Sequence, residues 1–198
     1  MAAQDLTTLA TVRSFLQKSA SDTTQDAEIS AMITRASDAI SRYCEREFKT
    51  TGTNPFARTF EYKGGGLLDL SPFDLQSLSQ VRFDTDTASP TTLLAADYRL
   101  VPVHKPLGVY TALRIDPAIS PTIARWSYRV IEVTGTWGFA SVPKDVEHAC
   151  VLTVNNWLKL DVTAYESVLS VDDPALERPQ GIPSRAQMLL KPFVRTVL

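Results

Sequence analysis

Cysteine is scarce in this chain: Cys44 and Cys150 are the only two in 198 residues. Two thiols so far apart cannot staple a small secreted scaffold, so stability has to come from an apolar core, and a reduced compartment is expected. Long hydrophobic runs are also missing. No stretch approaches the roughly 18 continuous apolar residues of a membrane span, and Met1-Ala2-Ala3-Gln4-Asp5 has neither the positive nor the apolar region of an export signal. A chain that is soluble, not exported and without a membrane partner is the expectation. An excess of either charge is absent too: 20 Lys plus Arg face 22 Asp plus Glu, for a net charge of −2. A protein that grips nucleic acid by neutralising phosphates concentrates its bases, and no third of this chain does so. The lopsided stretches are short. Residues 161–177 carry Asp161, Glu166, Asp172, Asp173 and Glu177 with no base, and the last residues carry Arg185, Lys191 and Arg195 with no acid.

What is present is a 44% hydrophobic content, enough for one compact domain with an insertion. The first fifty residues read as two helices. Thr8 can cap a short helix with Leu9, Val12, Phe15 and Leu16 on one side, ending near Ser19. A second begins at Asp22 or Thr23 and carries the stripe Ile29, Met32, Ile33, Ala36, Ile40, Tyr43 and Cys44 at helical spacing. From Gly52 to Pro121, glycines and prolines break every apolar run. Strands of an antiparallel sheet or small barrel are expected at 58–63, 67–70, 78–84, 98–102, 109–115 and 126–134.

Helical signals return at Ser141-Val142-Pro143. Over Val142–Leu160 the apolar residues Val146, Ala149, Cys150, Val151, Val154, Trp157, Leu158 and Leu160 span an arc of roughly 200°, wider than a surface helix needs. Either this helix is central within its own subunit, or Val151, Val154 and Leu158 pack on a second copy. Residues 161–182 lack a sustained period and read as an arm or linker. A short helix from Ser184 to about Lys191 precedes Pro192, and Phe193–Leu198 reads as an extended apolar and basic tail. The fold class is α+β: a helical-bundle body from 1–50 and 141–160, an antiparallel β module inserted at 51–140, and a C-terminal arm completing 141–198.

Sites for chemistry are hard to assemble from these residues. Gly64-Gly65-Gly66 is followed by Leu67-Leu68 rather than by a Lys and Ser or Thr opening a helix, so it reads as a hairpin turn and not as a phosphate cradle. Cys44, His104, His148 and Cys150 show no close pair with metal-ligand spacing, and Cys150 sits within the apolar arc as a core residue. Asp69, Asp74, Asp84, Asp86, Asp97 and Asp116 all lie in or beside turns, where Asp is favoured for its own backbone hydrogen bonds. No catalytic, cofactor or metal residues are expected. The rival reading is a small metal-dependent hydrolase that uses turn carboxylates such as Asp84 and Asp116.

Three stretches together resemble the head-to-tail connector proteins of tailed bacteriophages, which include adaptor and head-completion proteins. They are Leu9–Leu16 with the stripe ending Ile40-Ser41-Arg42-Tyr43-Cys44-Glu45-Arg46-Glu47-Phe48; the β passage with Leu70-Ser71-Pro72-Phe73, Val81-Arg82-Phe83-Asp84 and Asp97-Tyr98-Arg99-Leu100; and Ile131–Phe139 running into Val142-Pro143-Lys144-Asp145-Val146. The resemblance implies a virion protein of the neck, made and assembled in the host bacterial cytoplasm. It implies a ring, usually of twelve copies, that binds the portal protein, extends the DNA channel without gripping DNA specifically, and receives a stopper or tail-terminator protein. A stopper or tail-completion role in the same connector is the alternative. It also marks Val142–Leu160 as the principal helix. Arg185, Met188, Lys191, Phe193, Val194, Arg195, Val197 and Leu198 become candidates for docking to the portal.

Overall fold

The computed structural model describes residues 5–19, 22–49, 53–83, 91–105, 107–115, 129–167 and 181–195, with only the backbone considered at 129 and 160–167. They form two compact units. One runs to Cys44 and resumes over Val142–Arg195; the other spans Glu45–Ser141.

The helical unit starts with α1, Leu9–Phe15, whose N-cap Thr8 accepts a hydrogen bond from the Thr11 N–H as its side chain predicts. Helix α2 covers Asp26–Cys44 and buries Ile29, Met32, Ile33, Ala36, Ser37, Ile40 and Cys44. It starts later than the capping pattern suggests, because Asp22 accepts from the Thr24 N–H at 3.2 Å and its Oγ1 at 2.7 Å and so stabilises a turn ahead of the helix. Arg13 ties α1 to that turn and to α2, donating to Asp26 Oδ2 at 2.9 Å and to the Ser19 and Asp22 carbonyls at 2.6 and 2.7 Å. The chain leaves α2 through Glu45 in the left-handed region, φ 52°, a conformation that commonly ends helices.

Helix α3, Lys144–Ser167, runs beyond the expected end at Leu160. Once a helix is nucleated each further residue adds a hydrogen bond, and no proline intervenes before Pro174, so Asp161–Ser167 continue it without an apolar period. The reading of 161–182 as irregular is therefore corrected over its first seven residues, and 168–180 lie outside the described residues. Helix α3 packs against α1, α2 and the short α4, Ser184–Leu190.

In the β unit the strands are β1 Phe56–Tyr62, β2 Leu67–Asp69, β3 Leu75–Phe83, β4 Thr91–Thr92, β5 Tyr98–Val101, β6 Ala112–Ile115 and β7 Arg129–Trp137. They form two antiparallel sheets, in the order β1-β7-β3-β4 and β2-β6-β5. The glycine triplet is a correction to the hairpin expectation: it joins β1 and β2, which lie in different sheets, with φ of 86°, 81° and 79° at Gly64, Gly65 and Gly66. Only glycine takes three such angles in succession at little cost. The Gly66 N–H donates to the Tyr62 hydroxyl at 2.9 Å.

One core serves both sheets, built from Phe60, Tyr62, Leu68, Leu75, Val81, Phe83, Leu113, Ile115, Ile131, Val133 and Trp137. Trp137 is stacked or edge-packed on the rings of Phe56, Phe60 and Phe73, and its indole N–H donates to the Phe56 carbonyl at 2.9 Å. Asn54 continues the strand pairing with its side chain, accepting from the Trp137 N–H at 3.0 Å and donating to its carbonyl at 3.2 Å. At Gly135 in β7 a Cβ would collide with the Ser77 carbonyl and the Leu75 side chain where the β3 register shifts.

Candidate docking surface on the helical unit

Helix α4 begins after Pro183, whose carbonyl accepts from the Gln187 N–H at 2.9 Å, while Gln187 Nε2 donates to the Ile182 carbonyl at 2.7 Å. Ala186 and Leu190, four residues apart, are buried; Arg185 and Met188, three apart, point the other way. Met188 is 76% exposed, a large apolar side chain with no cover. Lys191–Phe193 form a 3-10 turn, which keeps Lys191 exposed and buries Phe193. The tail expected to be extended from Phe193 onward therefore starts folded. Beyond the turn the Arg195 N–H donates to the Cys44 carbonyl at 3.0 Å, so the last described residues are anchored to α2 and Arg195 is itself buried.

Among the portal-docking candidates, the structure brings Arg185, Met188, Lys191 and Val194 to the surface and buries Phe193 and Arg195. Val197 and Leu198 lie outside the described residues. On α3, Val151 and Val154 are 2% and 0% exposed within their own unit, which leaves them no surface for a sister copy; Leu158 is half-buried. The wide apolar arc is filled mainly from inside the unit, by α1, α2 and α4.

Tyr43, expected in the core stripe of α2, is 39% exposed, and it belongs to a feature that sequence reading missed. Arg35, Asp38, Ala39, Arg42 and Tyr43 of α2, with Trp157, Gly181 and Ile182, line a groove of about 520 Å³. The Trp157 indole N–H donates to the Gly181 carbonyl at 3.2 Å and holds one wall. Both arginines are exposed, and neither forms an ion pair or hydrogen bond with another described residue. The signal was the spacing i, i+3 and i+7 of Arg35, Asp38 and Arg42 on one helix face, which ordinarily marks a solvated surface.

Among the described residues, the groups that could have carried chemistry do not converge. Asp69 accepts from the Ser71 N–H at 3.0 Å and Asp97 from the Leu94 N–H at 2.8 Å, both within turns. Asp74 is buried against Arg46. Asp84, Asp86 and Asp116 lie outside the described residues. His148 is edge-on to Phe15 at 6.1 Å, and Cys44 and Cys150 are buried free thiols. Among the described residues no group of three or more His, Cys, Asp and Glu could hold a metal ion, and no helix is long and apolar enough to cross a membrane. The shifted groups of the β unit serve its interior. Burial raises the Glu47 carboxyl above its usual range against the pull of Arg58, its partner at 2.9 Å, and burial lowers the Arg58 guanidinium.

The family described as "Head completion protein" matches residues 5–193. Comparison with curated proteins returns no match. Among solved structures, a chain from the neck of an empty GTA particle computed with C6 symmetry is similar with a TM-score of 0.56 and 19% identity, over 100% of this chain and 94% of that one. A chain from the virion of a native gene transfer agent (GTA) particle is similar with a TM-score of 0.55 and 18% identity, over 98% and 91%. At such identity these likenesses establish the fold.

Proposed function

The chain belongs to the head completion protein family, and from that premise we propose that it is the adaptor of a phage-type neck: a ring beneath the portal that extends the DNA channel and receives a stopper or tail-terminator protein. It is a structural virion protein of the neck and not an enzyme. The observation that carries the reading is the family match over 5–193, across both units.

The exposed face of α4 is the portal-docking end. Arg185 and Lys191 flank Met188, with Val194 beyond the 3-10 turn, and an apolar anchor rimmed by charge is the usual anatomy of a docking patch. Val197 and Leu198 extend that end in sequence. Lateral contacts between copies use Leu158 and outward-facing polar residues rather than Val151 and Val154. A heterologous contact closes into a ring when its rotation allows, and twelve copies is the number proposed. The sixfold symmetry of the related GTA neck is contained in a twelvefold ring. A net charge of −2 with no basic cluster suits a channel that DNA must pass without being held.

Electron microscopy of the purified chain mixed with portal rings tests this. A ring of added density on one end of the portal is expected, with copies counted by native mass spectrometry. A chain that never binds portal would overturn the proposal.

A further inference from the structure

The groove on α2 and α3 has two features that ask for a ligand. Arg35 and Arg42 are seven residues apart, so they lie on one helix face about 10 Å from each other along the axis, and both guanidiniums are without a described partner. Asp38 and Ala39 lie between them on α2, and Tyr43 and Trp157 add aromatic surface to the groove. A concave site with a cation at either end and aromatic side chains along it suits an extended peptide that has carboxylates about 10–13 Å apart, placed to straddle Asp38, and an apolar residue in the middle.

The chain's own sequence contains such a peptide. Asp173-Pro174-Ala175-Leu176-Glu177 closes the base-free stretch 161–177, and its two acids are four residues apart, about 13 Å when extended. Arginine side chains are long enough to take up the difference. The source is then a matter of reach. Gly181 and Ile182 line the groove and follow that stretch in the chain, so within one copy the peptide is tethered at its own groove by the three residues Arg178-Pro179-Gln180. A neighbouring copy has no such restriction. A ring of identical subunits also requires each one to present two different, complementary surfaces.

We infer that the Arg35–Arg42 groove receives the acidic stretch Asp172–Glu177 of a second copy, as one of the contacts that join adjacent subunits. This rests on the ring assembly proposed above. The salt-sensitive pairing of exposed charges fixes register and partner more than it supplies affinity.

The test places a photo-cross-linking benzoylphenylalanine at Tyr43 in the full chain, assembled on portal rings from a mixture of isotopically light and heavy copies. Mass spectrometry should find cross-links from position 43 to residues 170–178 in mixed light–heavy pairs. The double variant Arg35→Glu with Arg42→Glu should lower that yield about tenfold. Reversing the acids, Asp172→Lys, Asp173→Lys and Glu177→Lys, on the other copy should restore it. Because Arg35 and Arg42 are exposed, the variant should stay folded, with its unfolding temperature lowered only slightly by the acid placed in the last turn of α2 and the two new acids flanking Asp38. Cross-links confined to single copies, cross-links elsewhere, or none at all would overturn the inference. Portal binding scored in the same samples keeps the adaptor assignment separate: its loss would sink that assignment, whereas intact binding without the mixed pairs sinks only this contact.

Discussion

The two units achieve burial with different materials. The β unit encloses Phe60, Tyr62, Phe83 and Trp137, with Phe56 and Phe73 packed on them, whereas the helical unit is filled with Ile29, Met32, Ile33, Ala36, Ile40, Val146, Ala149, Val151 and Val154. Few large rings in a small sandwich make each one hard to replace. Many small aliphatic residues on packed helices spread the stabilisation and leave the outer helix faces free for other uses. Met188, Tyr43, Val194 and Phe15, all exposed and apolar, belong to the helical unit, while the described β unit exposes Leu94 and Val103 in turns.

The sharpest way to break this comparison is Trp137→Ala. The indole is 1% exposed and touches three aromatic rings, so its loss should cost about 4 kcal/mol, read by denaturant unfolding of the full chain. Comparable costs at several helical positions would show that the aromatic cluster is not special. Next comes Asp74→Ala, which leaves Arg46 in its buried site without this carboxylate; a loss of about 3 kcal/mol is expected. The helical counterpart, Val154→Ala, should cost about 2 kcal/mol, since it removes two methyl groups at a 0% exposed position.

A smaller effect concerns pH. The raised Glu47 pKa means that the folded state holds this proton more tightly than the unfolded chain does. Its contribution is therefore present at acid pH and is lost as pH rises from the ordinary carboxylate range through the raised value. Glu47→Gln should flatten that slope, read as denaturant stability measured at a series of pH values from the ordinary carboxylate range upward. Smallest of all on stability is Met188→Glu, which should shift unfolding by less than about 0.5 kcal/mol while abolishing portal binding in a pull-down. If it unfolded the chain, the α4 face would be core rather than docking surface.

Legibility from sequence follows the strength of local signals. The α2 stripe and the Thr8 cap could be read because helical period and capping are local properties of the chain. Most strands could be located because breakers bracket them, but β4 is only two residues long and has no pattern to read. Sheet membership was out of reach: nothing in Gly64-Gly65-Gly66 distinguishes a hairpin from a step between two sheets. Tyr43 falls inside its stripe on a 100° wheel, between Met32 and Ala36, so period alone reads it as core, yet as the penultimate residue of α2 it is exposed. The candidate docking residues split because two different local structures place them. Met188 faces out by its phase on α4 opposite Ala186 and Leu190, whereas Phe193 is turned in by the 3-10 turn after Leu190, which no local period announces. Val151 and Val154 were legible as apolar, but whether they contact their own subunit or a neighbour depends on how α1, α2 and α4 gather around α3, and all three are distant from it in sequence.

Gly135 lies where β7 crosses the shifted register of β3, and only a hydrogen fits there. What the exposed face of α4 presents can change one side chain at a time, because Arg185, Met188 and Lys191 are all at the surface. The crossing at Gly135 allows no such gradation, since even one added methyl group would push β3 and β7 apart.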